Sequence, residues 1–504
     1  MVRVGICLCA SVQPVPRLFH LLVLRLLLCD CAVKSASFVS SLRLNALCLS
    51  AVALLAGCAA PVEVKLDSSV PKHWQQSANG SRPADVGQLA QWWKGWGDAK
   101  LNALVEEALA QNLDVSQAVL RLRQQKLLAD TARSPFMPTV SAGARTLQDI
   151  AAIDSYFHAS VDVVWDLGLF GDSHAAKRAG MAGLLDAKAQ LHAARVALVA
   201  DVVHRYLDIR LAQRQRALLD LLQAQSQRQL ELLTVRRDQR LGPSAALEQQ
   251  RLLNQGLLAQ QAGVLESQAR SAHALAALLG RDKPESQWLQ ADANAELPKP
   301  QTIAVLPADM LRSRPDIQEA EAAVERAAAA LGVSRAALYP RFTITGSILY
   351  SYNLTQNLRT TSDRMPLIGP QIDIPLFDWG RRRAQADANE LALQASIQAY
   401  RQSLLNGIAE TEGALAAIAA QQKRQQGLQA SQELIQARSR SLAVREKLGL
   451  SSELDGLDTR RAALQAQSDM TTARAAEALA YVGLYKALGA APLDVAQLAQ
   501  EPQP

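Results

Sequence analysis

The stretch Phe157-His-Ala-Ser-Val-Asp-Val-Val-Trp-Asp-Leu-Gly-Leu-Phe-Gly171 alternates apolar and polar residues and stops at a glycine. Its odd positions are Phe157, Ala159, Val161, Val163, Trp165 and Leu167; its even positions are His158, Ser160, Asp162, Val164 and Asp166. A period of two is that of a β-strand with one apolar face. Beyond it the period changes. From Leu184 to Leu241 there is no proline or glycine, and Leu184, Leu191 and Leu198 recur every seven residues, with Val202, Tyr206 and Ile209 continuing the stripe. That spacing predicts one very long helix packed side by side with others.

The plan occurs twice. Pro138 opens the first copy, Phe170-Gly171 ends its strands and Gly242-Pro243 closes its long helix; Pro340, Trp379-Gly380 and Gly449-Leu450 do the same in the second. Gly171 to Gly242 is 71 residues and Gly380 to Gly449 is 69. Repetition on this scale is architecture. The predicted elements are strands at about 138–147 and 156–168 with helices 172–241 and 244–279, then strands at about 341–352 and 366–377 with helices 381–448 and 451–488. The shorter helices Asp98–Arg133 and Ser244–Leu279 together match the long helix between them. Pro315–Leu338 and Ser451–Leu488 nearly do so, which predicts two short helices stacked end to end beside each long one. The chain divides into a targeting segment 1–57, an N-terminal segment 58–97, repeat 1 at 98–297, repeat 2 at 298–490 and a tail 491–504.

Four strands of about ten residues have the length of tilted bilayer-crossing strands. A soluble sheet with one buried face would need a covering layer that the sequence does not supply. Four strands cannot close a barrel, and an open edge in lipid leaves backbone groups unpaired at several kcal/mol each. Membrane strands therefore require oligomerisation with closed symmetry; two, three or more copies satisfy the physics equally. Trp165, Phe170 and Trp379 fall where strands meet helices, as an interfacial aromatic girdle would. Arg381, Arg382 and Arg383 oppose the helix dipole there, and lipid phosphates or a solvated turn would each accommodate them.

The net charge is +6, but residues 1–57 contribute +4 of it (Arg3, Arg17, Arg25, Lys34 and Arg43 against Asp30). No nucleic-acid footprint remains. All six cysteines lie at or before Cys58, so the body has neither a disulfide framework nor a cysteine metal site. No nucleotide motif, nucleophile–base pair or metal-ligand cluster stands out, so neither an enzyme nor a cofactor is expected. Arg43 to Cys58 has a basic start, an apolar stretch and small residues before the cysteine. Residues 1–40 read as sequence upstream of the true start.

Taken together, these features resemble the TolC-type outer-membrane efflux factors, closest to their lipoprotein (NodT or OprM-like) branch. The resemblance is carried by Gln91-Trp-Trp-Lys-Gly-Trp-Gly-Asp98, Leu311-Arg-Ser-Arg-Pro-Asp-Ile317, Ala337-Leu-Tyr-Pro340 and Ile374-Pro-Leu-Phe-Asp-Trp-Gly-Arg381, while Leu55-Ala-Gly-Cys58 resembles the lipobox of bacterial lipoproteins. It implies a mainly α chain forming a homotrimer, with a twelve-stranded outer-membrane β-barrel continued by a twelve-helix periplasmic α-barrel. It also implies lipidation at Cys58, contact with outer-membrane lipids, and docking to a periplasmic adaptor and an inner-membrane resistance-nodulation-division pump. Asp172 departs from the arginine usual at that place. Asp455 and Asp458 match the family's entrance aspartates, and Glu248, six after Gly242, matches a further acid. Threefold rings of such carboxylates would favour cations and raise one another's pKa; acids at a helix N-terminus are also favoured by the dipole alone. Ser451 stands where a basic partner occurs in some members, leaving Arg445 or Lys447 as candidates for an interlocking salt bridge. The tips, with Gly242, Pro243, Gly449 and Ser451, are the expected adaptor contact. The competing readings are a lipid-anchored adaptor or coiled-coil scaffold and the conduit of a type I secretion system.

Overall fold

The computed structural model describes residues 62–66, 74, 89–148, 155–301, 308–355, 358–359 and 366–492. The targeting segment with Cys58 and the last residues of the tail lie outside the described residues.

In chain order the elements are α1 (Ala99–Gln111), α2 (Leu113–Asp130), β1 (Thr139–Gln148), β2 (Ser155–Asp166), α3 (Asp172–Asp238), α4 (Ser244–Leu278), α5 (Pro315–Ala336), β3 (Arg341–Asn353), the two-residue β4 (Leu358–Arg359), β5 (Pro366–Asp373), α6 (Arg381–Lys447) and α7 (Glu453–Ala487). Three expectations are corrected. The single helix Asp98–Arg133 is two helices, because Asn112 has extended backbone (ψ 131°) and caps α2. The last strand stops at Asp373, short of 377, with Pro375 and a turn following. The first long helix ends at Asp238, three residues before Leu241.

β1, β2, β3 and β5 form an antiparallel sheet in that order, with the short β4 paired to the end of β3 on the β5 side, leaving β1 and β5 as the long edges. The register sorts the side chains. Val140 lies opposite Val163, Val163 opposite Gly346, and Gly346 opposite Ile368. Ala142, Val161 and Ile348 form the next row. One face is thus mainly aliphatic and aromatic, with Thr146 and Gln148 at one end of it, and the other carries Ser141, Arg145, His158, Ser160, Asp162, Thr343, Thr345, Ser347 and Gln371 beside Val164, Leu349 and Leu367. The apolar face is open: Val140 is 69% and Ile368 74% exposed.

The helices form a single layer of columns. α3 packs against α2 and α4, and also against α5 and α7; α6 packs against α5 and α7. Two short helices stacked end to end do lie along each long one. The predicted stripe is core: Leu191, Leu198, Val202, Tyr206 and Ile209 are all buried. The N-terminal segment is pinned to this layer by Trp92, stacked on Tyr485 (4.3 Å, 9°), and by the Tyr206 hydroxyl, which donates to Asp98 Oδ2 at 2.7 Å.

Each end-to-end joint is fastened by one side chain. Asn112 accepts from the N–H groups of Asp114 and Val115 (2.9 and 3.1 Å), and its Nδ2 donates to Leu278 O at the end of α4 (3.0 Å). In repeat 2 the residue before α5 is Arg314, whose Nη1 donates to Ala487 O at the end of α7. The same guanidinium holds Asp316 and Glu410 (2.8 and 2.6 Å), and a Cβ on Gly407 would sit 3.1 Å from its Nε. Both devices satisfy a carbonyl that a helix end leaves without a partner. Asn112→Ala removes a cap and a joint; it is expected to cost about 1–2 kcal/mol, read as a lower helical melting temperature by circular dichroism.

Candidate functional site

The far ends of the long helices form the site singled out by sequence. Both close with the same left-handed turn. Leu450 N donates to Arg445 O (2.8 Å) with Gly449 at φ 72°, and Leu241 N donates to Arg236 O (2.8 Å) with Arg240 at φ 57°. The left-handed residue of the first tip is therefore Arg240, not Gly242, a conformation disfavoured by about 1–2 kcal/mol for a residue with a Cβ. This corrects the alignment of the tips. Both connections are five residues long (239–243 and 448–452), and the following helices are each 35 residues. Asp455 then corresponds to Ala246 and Asp458 to Gln249, while Glu248 corresponds to the buried Leu457. Glu248 is exposed, and the first copy carries no acid at either aspartate position.

The two tips are capped differently. Ser452 and Asp455 form a reciprocal capping box: Asp455 Oδ2 accepts from Ser452 N (3.0 Å) and Oγ (2.7 Å), and Ser452 Oγ accepts from Asp455 N (3.3 Å). Pro243 occupies the equivalent slot before α4 and supplies no side-chain cap. Asp458 Oδ1 accepts from Gln229 Nε2 (2.9 Å) and lies 3.8 Å from Arg461. Two carboxylates three residues apart thus have separate partners. In the single chain, the Ser452 hydroxyl and backbone N–H hold Asp455 below its ordinary pKa, the reverse of the rise expected from a crowded ring.

The ion pairs at this end are not those anticipated from Arg445 or Lys447. Arg228 on α3 grips Glu453 on α7 with two hydrogen bonds (Nε–Oε1 2.9 Å, Nη2–Oε2 3.2 Å), and Arg460 meets Glu446 at 3.4 Å. Hydrogen bonding from Arg228 pulls the Glu453 pKa down. Arg445 acts only at longer range, as one of two cations lowering Asp455. Nothing in the sequence pairs Arg228 with Glu453, which lies 225 positions away. Ser451 sits in the turn itself.

At the opposite end, Trp165 Nε1 donates to Phe136 O (3.1 Å) and Phe170 stacks on Tyr339 (5.0 Å, 11°). Trp379, with φ 59°, touches Phe377 (4.9 Å) and is 90% exposed. Of the three arginines, Arg382 pairs with Asp378 (3.5 Å), whose carboxylate also accepts from the N–H groups of Gly380 and Arg382. Asp378 thereby offsets part of the dipole conflict, and Arg381 is exposed. Burial raises the pKa of Asp172.

The sequence pattern of the family described as Outer membrane efflux protein matches residues 104–281 and 306–490, one segment in each repeat. The chain belongs to that family. It is 30% identical over 468 residues to the pyoverdine export outer membrane protein OpmQ of Pseudomonas aeruginosa, covering 88% of this chain and 96% of that one. It is 29% identical to nodulation protein T of Rhizobium leguminosarum bv. viciae (82% and 86% covered) and to the cation efflux system protein CusC of Escherichia coli K12 (86% and 96%). Among solved structures it is similar to the outer-membrane channel OprN (TM-score 0.74, 25% identity, 86% of this chain and 99% of that one). It is also similar to the open state of the Neisseria gonorrhoeae MtrE outer membrane channel (TM-score 0.73, 26%, 85% and 97%). As a member of the outer membrane efflux protein family it is a channel component of an efflux system.

Glu453 and Asp455 are both depressed in the folded chain, so their contribution is present above the ordinary carboxylate pKa of about 4 and is lost as pH falls through the folded values. Amide exchange of residues 448–460, corrected for intrinsic rates, is expected to quicken on acidification below that range. The double variant Glu453→Gln, Asp455→Asn should exchange fast at every pH; a preserved acid response in it would contradict this assignment.

Proposed function

We propose that three copies of this chain close into a passive export duct, with a twelve-stranded barrel in the outer membrane continued by a helical tube in the periplasm. One observation carries the reading: the molecule has two raw edges. α3, flanked on both sides, buries 24 of its 67 residues, whereas the equally long α6 buries seven and none beyond Ile418. At the other edge Leu113, Leu120 and Leu127 of α2 and Leu252 of α4 are each 60–69% exposed. β1 and β5 are edges of the sheet in the same sense. Because the four strands alternate in direction, β5 of one copy meets β1 of the next antiparallel, so a ring closes without a mismatch. The open apolar face of the sheet is then the lipid face, and the polar face lines the duct.

Lipidation at Cys58 fits this placement. Val62, four residues later, accepts a hydrogen bond from Arg178, seven residues into the helix from Gly171. Loss of acyl labelling in Cys58→Ser tests it.

At the periplasmic end, Asp455 and Asp458 repeated by threefold symmetry form acidic rings that favour cations. Energy and cargo selection belong to partners: an adaptor seated on the tip segments 240–246 and 447–452, and an inner-membrane pump of the resistance-nodulation-division type. Purified protein should run as a heat-modifiable trimer and conduct in planar bilayers. Asp455→Ala with Asp458→Ala should raise single-channel conductance and reduce cation selectivity. A monomer without conductance would sink the duct; unchanged conductance and selectivity in the variant would sink the gate alone.

A further inference from the structure

The duplication holds in spacing, strand register and joint position, which allows the seam between copies to be read from the seam inside one. From the cap residues Asn112 and Arg314 to Pro138 and Pro340 the repeats align without a gap; the same is true from Gly171 and Gly380 to the ends of α4 and α7. The alignment is checked twice by geometry. Val163 faces Val140 in the first hairpin, and their counterparts Ile372 and Phe342 face each other in the second. The hydrogen bond from Asn112 to Leu278 O has its counterpart in that from Arg314 to Ala487 O.

Within the chain, α3 and β2 of repeat 1 meet α5 and β3 of repeat 2. At the upper end of that seam Arg178 and Glu325 form a two-pronged ion pair (Nη2–Oε1 3.1 Å), each side chain less than a third exposed. Carried to the next seam, Arg178 becomes Asp387 on α6 and Glu325 becomes Arg123 on α2. The charges exchange places: acid stands for base and base for acid. Both residues are exposed on the raw edges, and neither makes an ion pair among the described residues. The stack of Phe170 on Tyr339 likewise maps to Trp379 and Met137, which are 90% and 51% exposed.

We infer that the surface built from Asp387 and Trp379 binds a second copy of this chain, with Asp387 paired to Arg123 and Trp379 packed on Met137 of the neighbouring copy. The strands follow in the same register, with Gln371 opposite Arg145, Ile372 opposite Ala144 and Asp373 opposite Gly143 of that copy. Reversal of the ion pair's polarity makes the two kinds of seam chemically distinct. Glu325 is already held by Arg178 inside each copy, which leaves the exposed Asp387 and Arg123 to pair across the next seam. This rests on the trimer reading and adds its register.

Crosslinking tests it. No cysteine lies beyond Cys58, so Arg123→Cys combined with Asp387→Cys gives two defined thiols for a short bis-maleimide, with the unmodified protein as control. Covalent dimer and trimer on denaturing gels are expected. Arg178→Cys with Glu325→Cys should crosslink within the chain and stay at monomer mass. Met137→Cys with Trp379→Cys provides a second intercopy pair should the first variant fail to fold. A native trimer in which neither intercopy pair yields covalent oligomers, or in which the internal pair yields as many, overturns the register and leaves the duct standing. A monomeric unmodified protein overturns both.

Discussion

A sheet of four strands must do something with its two edges. Here each edge carries a row of backbone N–H and C=O groups, and in hydrocarbon each unpaired group costs several kcal/mol. That cost exceeds anything the side chains of β1 and β5 could recover, so the single chain is not the functional unit of a membrane sheet. The same incompleteness runs through the helices, where α6 lacks on its outer flank the neighbour that α3 has on both. Pro366 and Pro370 in β5 remove donors from one edge. Prolines are tolerated at edges and blunt indiscriminate pairing before the correct partner arrives.

Duplication solves half of the closure problem inside the chain, because repeat 1 and repeat 2 already display one complete seam. Its fidelity is greatest where helix ends must be satisfied. Asn112 and Arg314 differ in size and charge, yet both send a donor to the terminal carbonyl of the helix stacked against them. The larger residue needs space, which Gly407 provides, and counter-charges, which Asp316 and Glu410 provide. Backbone bonding is preserved while the side chains that perform it diverge.

Period and punctuation made the strands, the long helices and the stacking of short helices legible in the sequence. The strands and long helices depend on residues a few positions apart, and the stacking on segment lengths that can be counted. Three things were not legible. The break at Asn112 hides because Gln111-Asn-Leu-Asp114 contains neither proline nor glycine, and asparagine is a cap only when its backbone turns out of the helix. The closing turn at Arg240 hides because a nearby glycine, Gly242, is the natural candidate, and the two-residue shift makes Leu457 rather than Asp455 the counterpart of Glu248. The Arg228–Glu453 grip hides because it joins different repeats; proximity across hundreds of residues is a product of the fold, not of spacing.

The tips show that a duplicated chain need not be symmetric at its far end. The connecting turns have equal length and the same left-handed closure, so the backbone treats the two ends alike. The side chains do not. Ser452 and Asp455 cap α7 reciprocally, whereas Pro243 leaves the N-terminal amides of α4 without a side-chain partner. The lower half of α6 buries nothing beyond Ile418, so the second hairpin is held there by α7 and by the links Arg228–Glu453 and Gln229–Asp458. Both members of the Arg228–Glu453 pair are more than a third exposed, and such pairs contribute only about 0.2–1 kcal/mol. A link of that size biases how the two tips pack against each other without locking them together.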